Sequence, residues 1–263
     1  MSEANLAAAN TPSRGRLYLV PAPLDFGCAS QTPLTEVLPH GTLVVAARLR
    51  HWICENAKSA RAYLKRIDEI APLPCPIQAI QIQELPHEIH KKGDHGGGFD
   101  ARPLLAPLLS GHDIGLMSEA GMPAVADPGS SVVRAAHDLG LEVLPLVGPV
   151  SLLLALAASG LSGQNFAFVG YLPLDAAQRV LRIRELELLA RKRGPTQLFI
   201  ETPYRNAALL EALLKALDHG TRLAVASGLT LAGARTRSDS VKRWRAQPMA
   251  LDNGTPAVFA IGR

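Results

Sequence analysis

A chain of 263 residues, 48% hydrophobic and 19% charged, has the balance of a globular protein with a real core, one large domain or two ordinary ones. Its net charge of +4 and isoelectric point near 9.1 permit an RNA partner without demanding one. No apolar run approaches the roughly 20 residues of a membrane helix, because Pro145, Gly148, Pro149 and Gly160 break the longest candidate, so no membrane partner is expected. The polar N-terminus lacks a basic-then-apolar export signal. Cys28, Cys54 and Cys75 are widely spaced; they make neither a disulfide framework nor a CxxC metal site and fit a reducing cytoplasm.

Residues 1–15 are small and polar and are expected to form a loose tail. Leu17-Tyr18-Leu19-Val20 reads as a first strand, and Pro21-Ala22-Pro23 ends it because proline cannot continue a central ladder. The following loop, with Gly27, could line a ligand crevice, although no G-x-G-x-x-G follows. Residues 42–47 read as a second strand. Residues 50–67 carry Ile53, Ala57, Ala60, Leu64 and Ile67 at helical spacing, with Glu55, Asn56, Lys58 and Arg61 as a solvated face. A turn at 72–76 leads to a strand at 77–85. His87, His90, Asp94 and His95 are ligand types, but their spacing matches no HExxH pair and Gly96-Gly97-Gly98 would hold ligands poorly. A surface loop is expected there rather than a metal. A short helix at 103–110 stops at Gly111.

The stretch that organises the chain is Ser118 to Ser130, SEAGMPAVADPGS. It follows an apolar strand at 114–117 and precedes a serine-capped helix at 131–139 that closes at Gly140. Gly121, Pro123, Pro128 and Gly129 make it stiff at the prolines and open to close ligand approach at the glycines. In an open α/β sheet, a loop leaving the carboxyl end of a strand is where ligands bind. A small cofactor is therefore expected here.

A strand at 141–147 repeats the pattern, ending in Gly148-Pro149-Val150-Ser151 before an apolar helix at 152–158. That helix N-terminus offers free N–H groups and a positive dipole end, and its all-round apolarity predicts burial. Residues 164–173 close this series, and a domain boundary is expected near 170. The long helix at 175–193 carries Arg179, Arg182, Arg184, Arg191, Lys192 and Arg193; a solvated face is the simpler account, a nucleic-acid surface the functional one. A strand at 197–200 runs into Glu201-Thr202-Pro203-Tyr204-Arg205-Asn206 and a helix at 207–218. Then come a strand at 222–227, a β segment at 230–238 with Arg235 and Arg237, a basic helix at 241–246 and a last strand at 256–261. This order predicts a mixed second sheet beside a parallel first one.

SEAGMPAVADPG, VLPLVGPVSLLLALAASGL, NFAFVGYLP and FIETPYRN, in this order and spacing, resemble the tetrapyrrole-methylase-type S-adenosylmethionine-dependent methyltransferases. Within that superfamily they are most similar to the small-subunit rRNA (cytidine-2'-O)-methyltransferase branch. The resemblance implies two α/β domains, which the boundary near 170 sets at 16–170 (N-terminal) and 171–263 (C-terminal), with S-adenosylmethionine in the cleft between them, and a homodimer. It implies cofactor contacts at Ala120, Gly121, Met122 and Val125, at Val150 and Ser151, at Thr202, Leu229 and Pro256, and at Pro21.

Methyl transfer from a sulfonium is an in-line displacement that needs positioning and water exclusion more than acid catalysis, and no metal. For a hydroxyl acceptor Glu119 is the carboxylate best placed in sequence to act as base; no residue is assigned as catalytic. The chain departs from the rRNA branch at Pro23-Leu24-Asp25-Phe26-Gly27, where a Gly-Asn-Leu signature is usual, loosely at Cys54-Glu55-Asn56-Ala57-Lys58, and at 86–99. The function expected is methylation of an rRNA ribose 2'-hydroxyl in the cytoplasm. The alternatives are methylation of a tetrapyrrole or other small molecule, and a non-catalytic binding protein.

Overall fold

The structure is a computed structural model that describes residues 13–92, 94, 98–192 and 194–263. In chain order its elements are β1 (Leu17–Leu19), α1 (Leu34–Val37), α2 (His40–Arg48), β2 (His51–Cys54), α3 (Ala57–Asp68), β3 (Gln81–Glu84) and α4 (His87–Lys92). There follow α5 (Ala106–Leu109), β4 (Ile114–Met117), α6 (Ser130–Asp138), β5 (Val143–Pro145), α7 (Ser151–Ser159), β6 (Phe166–Tyr171) and α8 (Ala176–Arg191). The last are β7 (Thr196–Ile200), α9 (Asn206–Ala216), β8 (Arg222–Ser227), β9 (Arg235–Ser240), α10 (Val241–Ala246) and β10 (Ala257–Gly262). They form two compact units, one of the described residues to Ala22 with Leu38–Gly148, the other of Pro23–Val37 with Pro149–Arg263.

The first unit is a parallel sheet in the order β3-β2-β4-β1-β5. β4 is buried along its length, as a parallel strand covered on both faces must be. Leu17, Ile53 and Leu116 pack on one face with Val132 and Ala136 of α6 and with Leu105 and Leu108. Gly115 is required by its neighbour: a Cβ there would sit 2.7 Å from the Trp52 ring. The strand expected at 42–47 is instead α2. Its β-branched run misleads, because burial falls on Thr42, Leu43, Ala46 and Ala47, the i, i+1, i+4, i+5 pattern of one helix face. The strand comes later, as β2, and the helix expected from 50 starts only at Ala57, where the Asn56 side chain accepts from the Lys58 and Ser59 amides.

The second unit is a mixed sheet in the order β6-β7-β10-β8-β9, in which only β6 and β7 run parallel. Phe199 and Phe259 stack at 5.9 Å on one face, in a cluster closed by Trp244, whose indole N–H donates to the Leu223 carbonyl at 2.8 Å. Against the other face α7 buries Leu152, Ala155 and Leu156 on Leu198, Ala226 and Val258. That packing puts α7 and β6 with the second sheet, so the division falls after Gly148 and not near 170. The segment 23–37 also belongs there, tied by a hydrogen bond from Thr32 Oγ1 to the Thr230 carbonyl at 2.8 Å.

Candidate functional site

In the first unit the loop from Ser118 to Ser130 leaves β4 and is held by its own backbone. Gly121 exchanges two hydrogen bonds with Ala22, at 2.9 and 3.0 Å, which fastens the loop to the chain just past Pro21. Gly121, Ala124, Ala126 and Gly129 all have positive φ, at 73°, 62°, 67° and 132°. Two alanines in the left-handed region are strained, at a cost of about 1–2 kcal/mol each. Pro21 is wedged in turn against Gly148, where a Cβ would lie 2.3 Å from the proline Cγ. The Pro21 carbonyl accepts from the Tyr63 hydroxyl at 2.8 Å. Burial drives the Tyr63 pKa well above the usual phenol value, so this hydroxyl stays a donor.

Carboxylates gather around this loop. Ser59 Oγ donates to Glu119 at 2.8 Å, and the Glu119 amide donates to Glu55 at 3.4 Å. Asp127 is pushed up to about 7, first by burial and then by the Glu55 and Glu119 carboxylates. A carboxyl group poised near neutrality is suited to exchanging a proton at working pH. Asp94 has a different task. It is buried and accepts from the Gly129 and Ser131 amides and from the Ser130 and Ser131 hydroxyls, at 2.6 to 2.8 Å. It therefore caps α6 and occupies that helix N-terminus; it is not the open surface-loop residue expected from the histidine-rich stretch. His95 and the side chain of His90 lie outside the described residues, as do residues 1–12 of the expected tail.

In the second unit the register of β7, β10 and β8 brings Ile200, Val258, Ala257 and Ser227 to one end of the sheet. Thr202, Leu229 and Pro256 follow or precede those residues by one or two positions. The Gly228 amide donates to the Pro256 carbonyl at 3.0 Å. Leu229 and Val150 pack with Ile200 on the cluster beneath α7, and Ser151 opens that helix. Glu201, buried, accepts from the Thr202 amide and hydroxyl and from Arg205 Nε and Nη2, at 2.7 to 3.2 Å. The Arg205 guanidinium lies over the exposed Tyr204 ring, 5.2 Å from its centroid.

Of the residues singled out in the sequence, Pro21, Ala120, Gly121, Met122 and Val125 thus share one loop system of the first unit. Val150, Ser151, Thr202, Leu229 and Pro256 belong to the second. Pattern reading missed Asp127 and, although it named Glu201 within its motif, gave that residue no role. The only signal for Asp127 was a carboxylate inside a glycine–proline motif, and neither burial nor charge neighbours can be read from the chain order. Ser118 Oγ, Thr230 Oγ1 and Asn206 Oδ1 are buried without a hydrogen-bond partner among the described residues, an arrangement native proteins seldom leave unexplained. Ser118 opens the Ala120–Met122 loop, Thr230 adjoins Leu229, and Asn206 is bonded through Nδ2 to the carbonyl next to Pro256.

The fold is that of a two-unit α/β methyltransferase. The crystal structure of uroporphyrin-III-C-methyltransferase from Thermus thermophilus matches it with a TM-score of 0.52, covering 95% of this chain and 94% of that one at 20% identity, a likeness of fold alone. A family model of the tetrapyrrole (corrin/porphyrin) methylases matches residues 42–243, and the chain belongs to that family. A Pseudomonas aeruginosa protein named ribosomal RNA small subunit methyltransferase I is 32% identical over 240 residues, 90% of this chain and 72% of that protein. Its namesake from Mesorhizobium japonicum is 36% identical over 149 residues, 57% of this chain and 49% of that protein; the match spans about half the relative's length.

Proposed function

We propose that the chain transfers the methyl group of S-adenosylmethionine to a ribose 2'-hydroxyl of small-subunit rRNA. The observation that carries the proposal is the backbone-held loop at 118–130, bridged through Gly121 to the end of the first strand. Support comes from the names of the relatives and from the three orphaned polar atoms beside the expected contacts. A nucleoside sulfonium suits the loop of the first unit: it brings hydroxyl and amino groups for Ser118 and an apolar flank for Val125.

When bound, the cofactor supplies an electrophilic methyl whose departure leaves a neutral thioether. The protein has to orient the acceptor oxygen in line with the carbon–sulfur bond, exclude water, and take one proton from the hydroxyl. Glu119 already accepts from Ser59, whereas Asp127, held near neutrality, is the better-matched acceptor of that proton. As the resemblance implies, the enzyme acts as a homodimer, which light scattering of the purified chain checks; the scattered cysteines fit action in a reducing cytoplasm.

The test is incubation of methyl-labelled cofactor with small ribosomal subunits from a strain lacking the gene. Label in a 2'-O-methylated nucleoside after digestion of the rRNA is the expected result. Label confined to a small-molecule extract overturns rRNA as acceptor. Absence of binding heat at millimolar cofactor overturns the enzyme altogether.

A further inference from the structure

Of the arginines of α8, the helix whose basic residues stand out in the sequence, Arg182 pairs with Glu185 at 2.6 Å and Arg191 pairs with Asp218. A denser basic stretch lies elsewhere. Arg235, Arg237, Lys242, Arg243 and Arg245 occupy eleven residues of β9 and α10 with one carboxylate, Asp239. Of the chain's 27 basic and 23 acidic side chains, the remaining 22 of each sign cancel. This single stretch carries a formal charge of +4, equal to the net charge of the whole chain.

Arg237 and Arg245 are ordered by carbonyls, which leave their charge intact. Arg237 donates to the Arg243 and Gln247 carbonyls, and Arg245 donates to the Leu214 and Leu217 carbonyls at 2.7 and 2.9 Å. Asp239 stands 4.0 Å from Arg237 and 3.9 Å from Arg243, and the Arg243 side chain is 77% exposed. Trp244 is fully buried beneath the Arg237 guanidinium, 4.1 Å from it, so no aromatic ring on this face is offered to a base. β9 is the edge of its sheet, and charge on an edge strand discourages pairing with another chain. That accounts for Arg235 and Arg237 but not for the three cations of α10.

We infer that the β9–α10 face is a docking surface for the phosphate backbone of RNA, binding by charge and without reading sequence. The inference rests on RNA as the acceptor and adds the surface that holds it. Arg237 and Arg245 are pre-ordered, and Lys242 and Arg243 reach out to phosphates.

The test measures binding of the full chain to a labelled rRNA hairpin and to an unrelated hairpin of the same length, across salt concentrations. Lys242→Gln with Arg243→Gln is expected to weaken both equally, about 10–30-fold near 0.15 M salt. It should flatten the slope of log K against log salt by about 1.5, two phosphate contacts' worth. Calorimetric affinity for S-adenosylmethionine should not change. Arg16→Gln with Arg102→Gln, in the first unit, removes the same charge from side chains already paired with carboxylates and should leave RNA affinity near wild type. Equal weakening by both pairs, no change in slope, or preference for phosphatidylserine vesicles over RNA would overturn the docking surface. A wild-type chain that methylates no rRNA yet loses RNA binding through Lys242 and Arg243 would leave the surface standing and sink the proposed acceptor instead.

Discussion

The loop after β4 and the loop after β7 both leave the carboxyl end of a strand and both run into a helix, yet they are held by different means. The first relies on backbone along its length, with a two-bond bridge to Ala22 and four residues at positive φ, and on the buried Asp94 carboxylate only where it enters α6. The second has no positive φ between 201 and 206 and relies on one buried carboxylate that gathers four donors. A backbone-held loop tolerates exchange of its side chains and fails when its dihedrals are forbidden. A loop held by a side chain fails when that group is removed.

The largest effect is therefore expected at Glu201. Glu201→Ala leaves Arg205 without its counter-ion and should cost about 3–5 kcal/mol in chemical denaturation, whereas Glu201→Gln, which keeps an acceptor oxygen, should lose less. Equal losses would mean that shape, not charge, holds the loop. Next comes Gly121→Val, which forces a β-branched residue to a φ of 73°. Melting should fall by only a few degrees, the strain being about 1–2 kcal/mol, while calorimetric affinity for S-adenosylmethionine should fall at least about 100-fold. Unchanged affinity would show that the cofactor does not touch this loop.

Asp127→Asn probes the electrostatics of the first loop. The folded state raises this carboxyl from 3.8 to about 7, so between those values the native protein holds more protons than the unfolded chain. Wild-type stability should then decline as pH rises from about 4 to about 7 and level off above that. The variant should lack the decline and exceed wild type at pH 8 by about 1–3 kcal/mol once solvent screening is allowed for, as pH-resolved denaturation would reveal. Its methyl-transfer rate should fall at every pH. The smallest effect belongs to Ala124→Gly: relief of left-handed strain outweighs the backbone entropy of glycine by about 0.5 kcal/mol. A loss of stability there would mean that the Ala124 methyl packs more than it strains.

What could be read from the chain was what depends on local chemistry. The glycine–proline corners at 118–130 and 148–151 announced their turns because those residues have few other uses. The same locality failed at 42–47, where Val44 and Val45 suggest a strand but the faces buried in the sheet make a helix. It failed at Asp94, whose partners lie 35 to 37 positions away. It failed again at the unit boundary, because the fit of Leu152 and Leu156 to Ala226 and Val258 is a matter of surfaces and not of neighbouring residues. Asp127 went unnoticed for that reason too: its altered acidity arises from Glu55 and Glu119, brought close only by folding.

The most direct measurement is a crystal structure of the chain grown with S-adenosylhomocysteine, the demethylated form of the cofactor. Density for the nucleoside and its thioether against the backbone of Ala120, Gly121 and Met122 is the predicted result. Density anywhere else, or none at millimolar ligand, would contradict it.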